Sequence, residues 1–444
     1  MKKKAEVSCW HHEQETMARQ ALEAYHVDAL RDTVTRTCEH VPLYRQLLDQ
    51  AGLLPGDITT LDDISTLPLI TKNDLRYHYP LDFLAVPRAE VVLVQATSGT
   101  SGKPVVVPYT ANDLERWSAC MARALWAGGL RPGDVCLNAY SYGLFTGGLG
   151  FHFGAQAVGS TIIPSSTGMT DRQLVFLRDF EPTALFCTPS YALTIAERAH
   201  ALSMNLAEFP LRLGYFGAEP WTEEMRQDIE RRMGIEAHEV YGLTEMMGPG
   251  VAFTCGFHRL HINEDFFYPE IIDPVTERVL PEGEKGELVL TTLQRDAMPL
   301  IRYRTGDLTA LHRSRCECGR TFVSMDKVMG RTDDMLIISG VHCFPCDIER
   351  VLLTFEETGP HYRIRVFKKG HLDAIAVEVE ATHHAAAVTN KGAQDLQQRI
   401  SERLRQQIGI KIPVTLLSPG AIPRSEGKAR RIVDERQRKA ARND

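Results

Sequence analysis

In the stretch ETMARQALEAYHVDALRDTVTRTCEHV apolar residues return every three or four positions, the spacing that lines one face of an α-helix. The turn-rich run LLPGDITTLDDISTLP follows, so residues 1–90 are expected to form a mainly helical lead-in. From Glu90 the texture changes. Short apolar runs (VVLVQA, DVCLNAY, STIIP, ALFCTP, LRLGYFG) alternate with helical stretches such as ANDLERWSACMARALWAGG and TEEMRQDIERRMG, which predicts a mainly parallel α/β sheet. Between about residues 250 and 330, FYPEIIDPVTERVLPEGEKGELVLTTL has the strand-and-turn rhythm of an antiparallel or barrel-like subdomain. The remainder holds two strands (RIRVFKK, AIAVEVEA), one amphipathic helix (AQDLQQRISERLRQQIG) and a basic tail. The expected fold class is therefore α/β: a large N-terminal α/β domain with a barrel-like β subdomain (1–333), followed by a small α+β domain (334–444).

A length of 444 residues fits two or three cores, and 43% hydrophobic with 24% charged residues is an ordinary composition for a soluble chain. The net charge of -7 gives no bulk attraction for nucleic acid or an anionic membrane. The N-terminus MKKKAEVSCWHHEQE starts positive but turns polar where a signal peptide needs an apolar run of about 7 to 15 residues, and a cytoplasmic location is expected. Ten cysteines spread over so long a chain do not form a disulfide framework; they read as buried thiols or metal ligands.

Four segments carry candidate chemistry. In QATSGTSGKPVVVPYT, residues Thr97, Ser98, Gly99, Thr100, Ser101, Gly102 and Lys103 directly follow a predicted strand; glycines let the backbone approach an anion, while hydroxyls and amides wrap it. Pro104 stands where G-x-x-x-x-G-K-[ST] has its hydroxyl, so this is either another phosphate loop or a flexible Ser/Gly turn. YGLTEMMGPG, Tyr241 to Gly250, joins an aromatic ring, the Thr244 hydroxyl and the Glu245 carboxylate, groups that could stack on adenine and hold Mg²⁺; Thr244 could equally be a helix cap. Asp307 in IRYRTGDLT could accept two ribose hydroxyls or simply end a turn. Cys316 and Cys318 form a C-x-C pair, and Cys255 with His261 gives C-x5-H; four such nitrogen and sulfur donors would make a closed, structural zinc site, with His258 as a competing ligand. Cys343 and Cys346 lack a partner pair nearby in sequence and read as ordinary thiols.

Taken in order, TSGTSGKP, FGAEP, YGLTE, YRTGD, GRTDDMLIISG and PRSEGKARRI resemble the adenylate-forming superfamily of acyl-CoA synthetases, luciferases and carrier-loading adenylation domains, from about residue 90 to the end. SYGLFTGGLGFHFGAQ, FGAEPWTEEMR, YGLTEMMGPGVAF, DFFYPEIIDP and GRTDDMLIISGVHCFP resemble the phenylacetate-CoA ligases in particular. The resemblance implies an enzyme that uses ATP and Mg²⁺ to activate an aryl acid as its acyl-adenylate, then passes the acyl group to coenzyme A. It implies the phosphate loop at Thr97 to Lys103, with Gly217, Ala218, Glu219, Tyr241 and Gly242 around adenine. Thr244 and Glu245 would serve phosphate and Mg²⁺, Asp307 and Arg331 the ribose, and Lys428 the adenylation step itself. Tyr140, Phe145, Phe216 and Pro249, over the small-residue floor of Gly217 and Ala218, would bound the acid. A hinge at Asp333 would let the small domain rotate and bring Gly340 to the thiol arm of coenzyme A. The resemblance further implies a homodimer, and some relatives carry a zinc site of the cysteine pattern above. Other acceptors, a carrier protein or a deazaflavin, are open alternatives, as is a non-catalytic nucleotide-binding protein on the same scaffold.

Overall fold

The computed structural model describes residues 9–97, 103–338, 341–369, 372–382, 390–424 and 429–436. Its central feature is a sheet of nine strands in the order Leu311–His312, Ser324–Met325, Leu260–Ile262, Gly248–Thr254, Glu236–Leu243, Leu213–Phe216, Ala184–Cys187, Val135–Asn138 and Thr161–Ile163. The last five are parallel and connected through helices, as the alternating pattern requires. The other half is antiparallel. Glu236–Leu243 is the seam, parallel to Leu213–Phe216 on one side and antiparallel to Gly248–Thr254 on the other. The expected mainly parallel sheet is this five-strand half, and the antiparallel half extends it.

Both faces of the parallel half are covered, which explains its continuous apolar runs. Alternate residues point to opposite sides: Cys136, Phe186 and Tyr215 join the larger core with the helices Ala111–Ala127 and Thr146–Val158, whereas Leu137, Leu185 and Phe216 join a second core with Pro189–Ala201 and Glu223–Met233. Helix starts are locally encoded. Thr110 and Asp113 form a reciprocal cap at Ala111–Ala127, and the buried Asp113 carboxylate also accepts the amides of Asp296 and Ala297. A separate antiparallel sheet, in the order Phe267–Ile272, Gly286–Thr292, Tyr303–Thr309, Gly330–Arg331, occupies the region where strand-and-turn texture was expected. The small C-terminal unit pairs Val414–Leu417, Leu372–Ala381, Thr358–Lys369 and Ile432–Asp434 over the helices Pro345–Leu352 and Asn390–Ile408, around its own core. Among the described residues no helix is long and apolar enough to cross a membrane.

The N-terminal helices are held by buried charge as well as apolar packing. Arg123, fully buried, donates to both Asp265 oxygens at 2.8 Å and to Asn263 Oδ1 at 2.6 Å, and lies 3.5 Å from Glu15 Oε1. Glu15 in turn accepts from Arg320 Nε at 2.7 Å. Removing the arginine strands the Asp265 carboxylate and leaves Glu15 to Arg320 alone. Arg123→Ala should lower the unfolding free energy by about 3–5 kcal/mol in equilibrium urea denaturation; a loss below about 1 kcal/mol would show that these charges do not seat the N-terminal segment.

Candidate active site and cysteine cluster

The site forms at the C-terminal ends of the parallel strands, where an α/β sheet leaves a crevice. The seam strand ends there in Tyr241, Gly242 and Leu243, followed by the tight turn Thr244–Met246. Gly242 sits at a bulge where the backbone of Gly248 and Pro249 crosses: a β-carbon on it would lie 2.1 Å from the Gly248 carbonyl oxygen. Gly217 is likewise pressed under the Val240 carbonyl, at 2.2 Å from where its β-carbon would be. Glycine is what lets these two loops approach each other. Ala218, next in line, is exposed and takes the left-handed backbone conformation at φ 70°.

Tyr241, Asp307 and Arg331 come together as a buried chain. The Tyr241 hydroxyl donates to Asp307 Oδ2 at 2.6 Å and Arg331 Nη1 donates to Asp307 Oδ1 at 2.6 Å, while Arg331 Nε reaches Asp333 Oδ1 at 2.8 Å. Asp307 and Arg331 are register partners on adjacent strands, so the pair is built by the sheet itself. Burial pushes the Asp307 carboxyl above its usual range, and Arg331 and Tyr241 only partly offset that. Burial and the neighbouring Asp307 charge hold the Tyr241 phenol far above its ordinary value, so it stays a neutral donor.

Glu245 is buried, and Lys72 Nζ lies 3.2 Å from its Oε1. Lys72 starts the helix Lys72–Tyr77, whose Thr71 cap is bonded to Asp74, and was not among the residues expected from sequence. Neither was Glu239. Two positions before Tyr241 on the same strand face, its carboxylate is pushed up by burial, with Lys327 Nζ 4.0 Å away and itself 4.7 Å above the Trp221 ring. A cavity of about 260 Å³ opens beside it, lined among others by Trp221, Arg226, Glu239, His258 and Lys327. The Glu219 carboxylate accepts the amides of Ser190 at 2.7 Å and Ala429 at 2.9 Å.

The strands Leu93–Ala96 and Val106–Tyr109, which flank the expected phosphate loop in sequence, pair antiparallel. Next to them Thr97 N–H donates to the Val105 carbonyl and Val105 N–H to Thr97 Oγ1, both 3.0 Å. Lys103, exposed, lies 5.4 Å over the Tyr79 ring. Ser98, Gly99, Thr100, Ser101, Gly102, Gly340 and Lys428 lie outside the described residues. Of the four expected acid-binding side chains, Tyr140 is buried and stacked on Phe151 at 4.7 Å, and its hydroxyl faces Gly217. Phe145 is 45% exposed beside the strand Leu93–Ala96, where its carbonyl accepts from Gln95. The Pro249 carbonyl accepts from Trp117 Nε1 at 2.9 Å. Phe216 points to the opposite side of the sheet from Tyr140, fully buried against Trp221 in the second core.

Cys255, His261, Cys316 and Cys318 converge at the other end of the strand Gly248–Thr254, seven residues or roughly 20 Å from Gly248. Their ligating atoms all lie within 4.8 Å of one another and all four residues are buried. Cys255 and Cys316 sulfurs are 3.8 Å apart and Cys318 Sγ is 3.5 Å from His261 Nε2. His261 Nδ1 is 2.9 Å from the Phe322 carbonyl, which fixes that nitrogen as the donor and leaves Nε2 free to ligate. His258 is not in the group; it lies in the adjoining turn at φ 56° and lines the cavity described above.

Comparison with known proteins supplies an independent line. Residues 23–294 match the family model of AMP-binding enzymes and 340–436 that of the AMP-binding enzyme C-terminal domain. Phenylacetate-coenzyme A ligase of Thermus thermophilus is 46% identical over 96% of this chain and 99% of its own; that of Escherichia coli is 45% identical over 95% and 97%. Among solved structures, 2-hydroxyisobutyryl-CoA ligase in its postadenylation state with 2-HIB-AMP superimposes with a TM-score of 0.92 at 29% identity, covering 98% of this chain and 94% of that one. The same enzyme with 2-HIB-AMP and CoA in the thioesterification state gives 0.72 over the same coverage.

The Asp307–Arg331 contact predicts a stability effect independent of any ligand. Asp307→Asn leaves Arg331 without its buried counter-charge and should cost about 1–3 kcal/mol in thermal or urea unfolding; an unchanged midpoint would mean Asp333 alone satisfies the guanidinium.

Proposed function

The chain belongs to the phenylacetate-CoA ligase family of AMP-binding enzymes and joins an organic acid to coenzyme A through an acyl-adenylate, and we propose that the acid is an aryl acid of the phenylacetate class. ATP and coenzyme A are its substrates, so the carrier-protein, deazaflavin and non-catalytic alternatives fall away. The observation that carries the choice of acid is full-length identity of 43–46% to four phenylacetate-coenzyme A ligases. A flat apolar acid also suits a floor of Gly217 and Ala218 with Tyr140 behind it.

Adenylation forms a bond between the acid's carboxylate oxygen and the α-phosphorus of ATP and expels pyrophosphate. The coenzyme A thiolate then attacks the acyl carbon and AMP leaves. In this reading Tyr241 and the backbone of Phe216 to Glu219 flank the adenine, and Glu239 accepts its exocyclic amine. Asp307, oriented by Tyr241 and Arg331, takes the ribose hydroxyls. Thr97 to Lys103 and Thr244 hold phosphates, Glu245 takes Mg²⁺, and Lys428 neutralises the charge that builds as pyrophosphate departs. The unit 1–333 binds both substrates of the first step, and rotation of 334–444 about Asp333 brings Gly340 to the pantetheine arm. A homodimer in the cytoplasm completes the reading.

The cysteine cluster suits zinc. Bonds of about 2.3 Å to sulfur place tetrahedral ligands about 3.8 Å apart, the Cys255–Cys316 separation, and the His261 tautomer is correct for ligation. With four protein donors and no open position, the ion would tie the loop bearing Cys316 and Cys318 to the sheet and take no part in the reaction.

Pyrophosphate release from ATP, measured over a panel of aromatic and aliphatic acids with and without coenzyme A, tests the assignment: release should be strongest with arylacetates and a thioester should form only with coenzyme A. Preference for an aliphatic acid would overturn the substrate class. Lys428→Ala should reduce adenylation by about a hundredfold or more while leaving thioester formation from supplied acyl-AMP largely intact; equal loss of both steps would refute its role. Metal analysis should find about one zinc ion per chain, and Cys316→Ser should lower the melting temperature more than turnover. Fully folded, metal-free protein would end the zinc assignment.

A further inference from the structure

The small C-terminal unit meets the large one mainly through charged and hydrogen-bonded groups. Among the described residues, Leu353 is its one side chain in the apolar set packed against the second core. Around it, two carboxylates of the large unit reach across. Glu197, on the helix Pro189–Ala201, lies 2.7 Å from His361 Nε2 and accepts from Arg424 Nε at 3.1 Å. Arg424 is at the same time gripped by both oxygens of Glu380 in the small unit, each at 2.8 Å, so its guanidinium is fixed before it reaches Glu197. Glu219 joins the Ser190 amide in the first turn of that same helix to the Ala429 amide. A cavity of about 50 Å³ remains between the two contacts, lined by Leu193, Thr194, Met225, Pro360, Tyr362 and Pro423. An interface of directed polar bonds over an incompletely filled gap can separate and re-form at little cost, unlike a packed apolar one.

The residues gripped are informative. Arg424 and Ala429 flank, in sequence, the segment Ser425 to Lys428, and Ala429 is the immediate neighbour of Lys428. The orientation is informative too, since the chain fits a relative's postadenylation state with TM-score 0.92 but its thioesterification state with 0.72. We propose that Glu197 and Glu219 are positioning residues: a two-point carboxylate clamp that holds the small unit in the adenylation orientation by gripping both ends of the segment carrying Lys428. The proposal rests on the role given to that lysine above. Neither carboxylate touches the reacting atoms through these bonds. Glu197 and Glu219 act by fixing where the lysine-bearing segment sits, and their release accompanies rotation for the second step. Burial alone would push the Glu197 carboxyl up, but His361 and Arg424 outweigh it and hold it below its ordinary range, so it is ionised at neutral pH.

Glu197 lies outside the binding site, which makes it the residue to change. In the full-length enzyme, Glu197→Gln should slow phenylacetate-dependent ATP–pyrophosphate exchange about tenfold, while thioester formation from supplied phenylacetyl-adenylate and coenzyme A stays within about twofold of the parent. His361→Gln should show the same split more weakly, and it carries the test if Glu197→Gln proves poorly folded. Equal slowing of both half-reactions, or no slowing of exchange, would overturn the clamp. Lys428→Ala assayed in parallel separates the two claims: exchange that survives without the lysine refutes its assigned role, whereas exchange lost in Lys428→Ala but intact in Glu197→Gln refutes the clamp alone.

Discussion

A single carboxylate sets much of this architecture. Asp307 is buried between a phenol on the central sheet and a guanidinium on the antiparallel sheet, and neither contact is optional once the charge is out of water. The pair Asp307–Arg331 lies just before Asp333, so the bonds that hold the Tyr241 hydroxyl are continuous with the one from Arg331 to Asp333. One ion pair thus ties the end of the central seam strand to the segment at Asp333.

How much of this could be read from residues alone depended on distance along the chain. Alternating apolar runs and helical stretches revealed the parallel half because that pattern is local. The change of direction at Glu236–Leu243 was not visible, since an apolar strand reads alike whichever way its neighbour runs. Tyr241, Glu245 and Asp307 were legible as members of ordered motifs. Lys72 against Glu245 and His361 against Glu197 were not, because such pairs are made by topology and leave no local spacing to detect. Phe216 shows a finer limit. Its motif position suggested the acid pocket, while strand alternation sends its ring to the opposite face, leaving Gly217 and Tyr140 on the inner side.

The cysteine cluster and the buried arginines serve the periphery in complementary ways. The loop that carries Cys316 and Cys318 also carries Arg320 and Thr321, which bind the Glu15 side chain and main chain, so an ion at the cluster would stiffen the surface on which the N-terminal helices rest. The cluster lies at the far end of its strand from Gly248 and shares this loop with the residues that hold Glu15.

That long-range tie has a consequence for the order in which the molecule can be built during synthesis. Glu15 and Arg320 are separated by 305 positions, so most of the polypeptide has left the ribosome before the acid meets its counter-charge. The helix Arg19–His40 waits for Glu264, Asp265 and Thr292, and the Glu15 segment gains its seat later still, when Arg320 and Thr321 are in place. The N-terminal segment is therefore the longest-waiting part of the nascent chain, with its apolar face uncovered through most of translation.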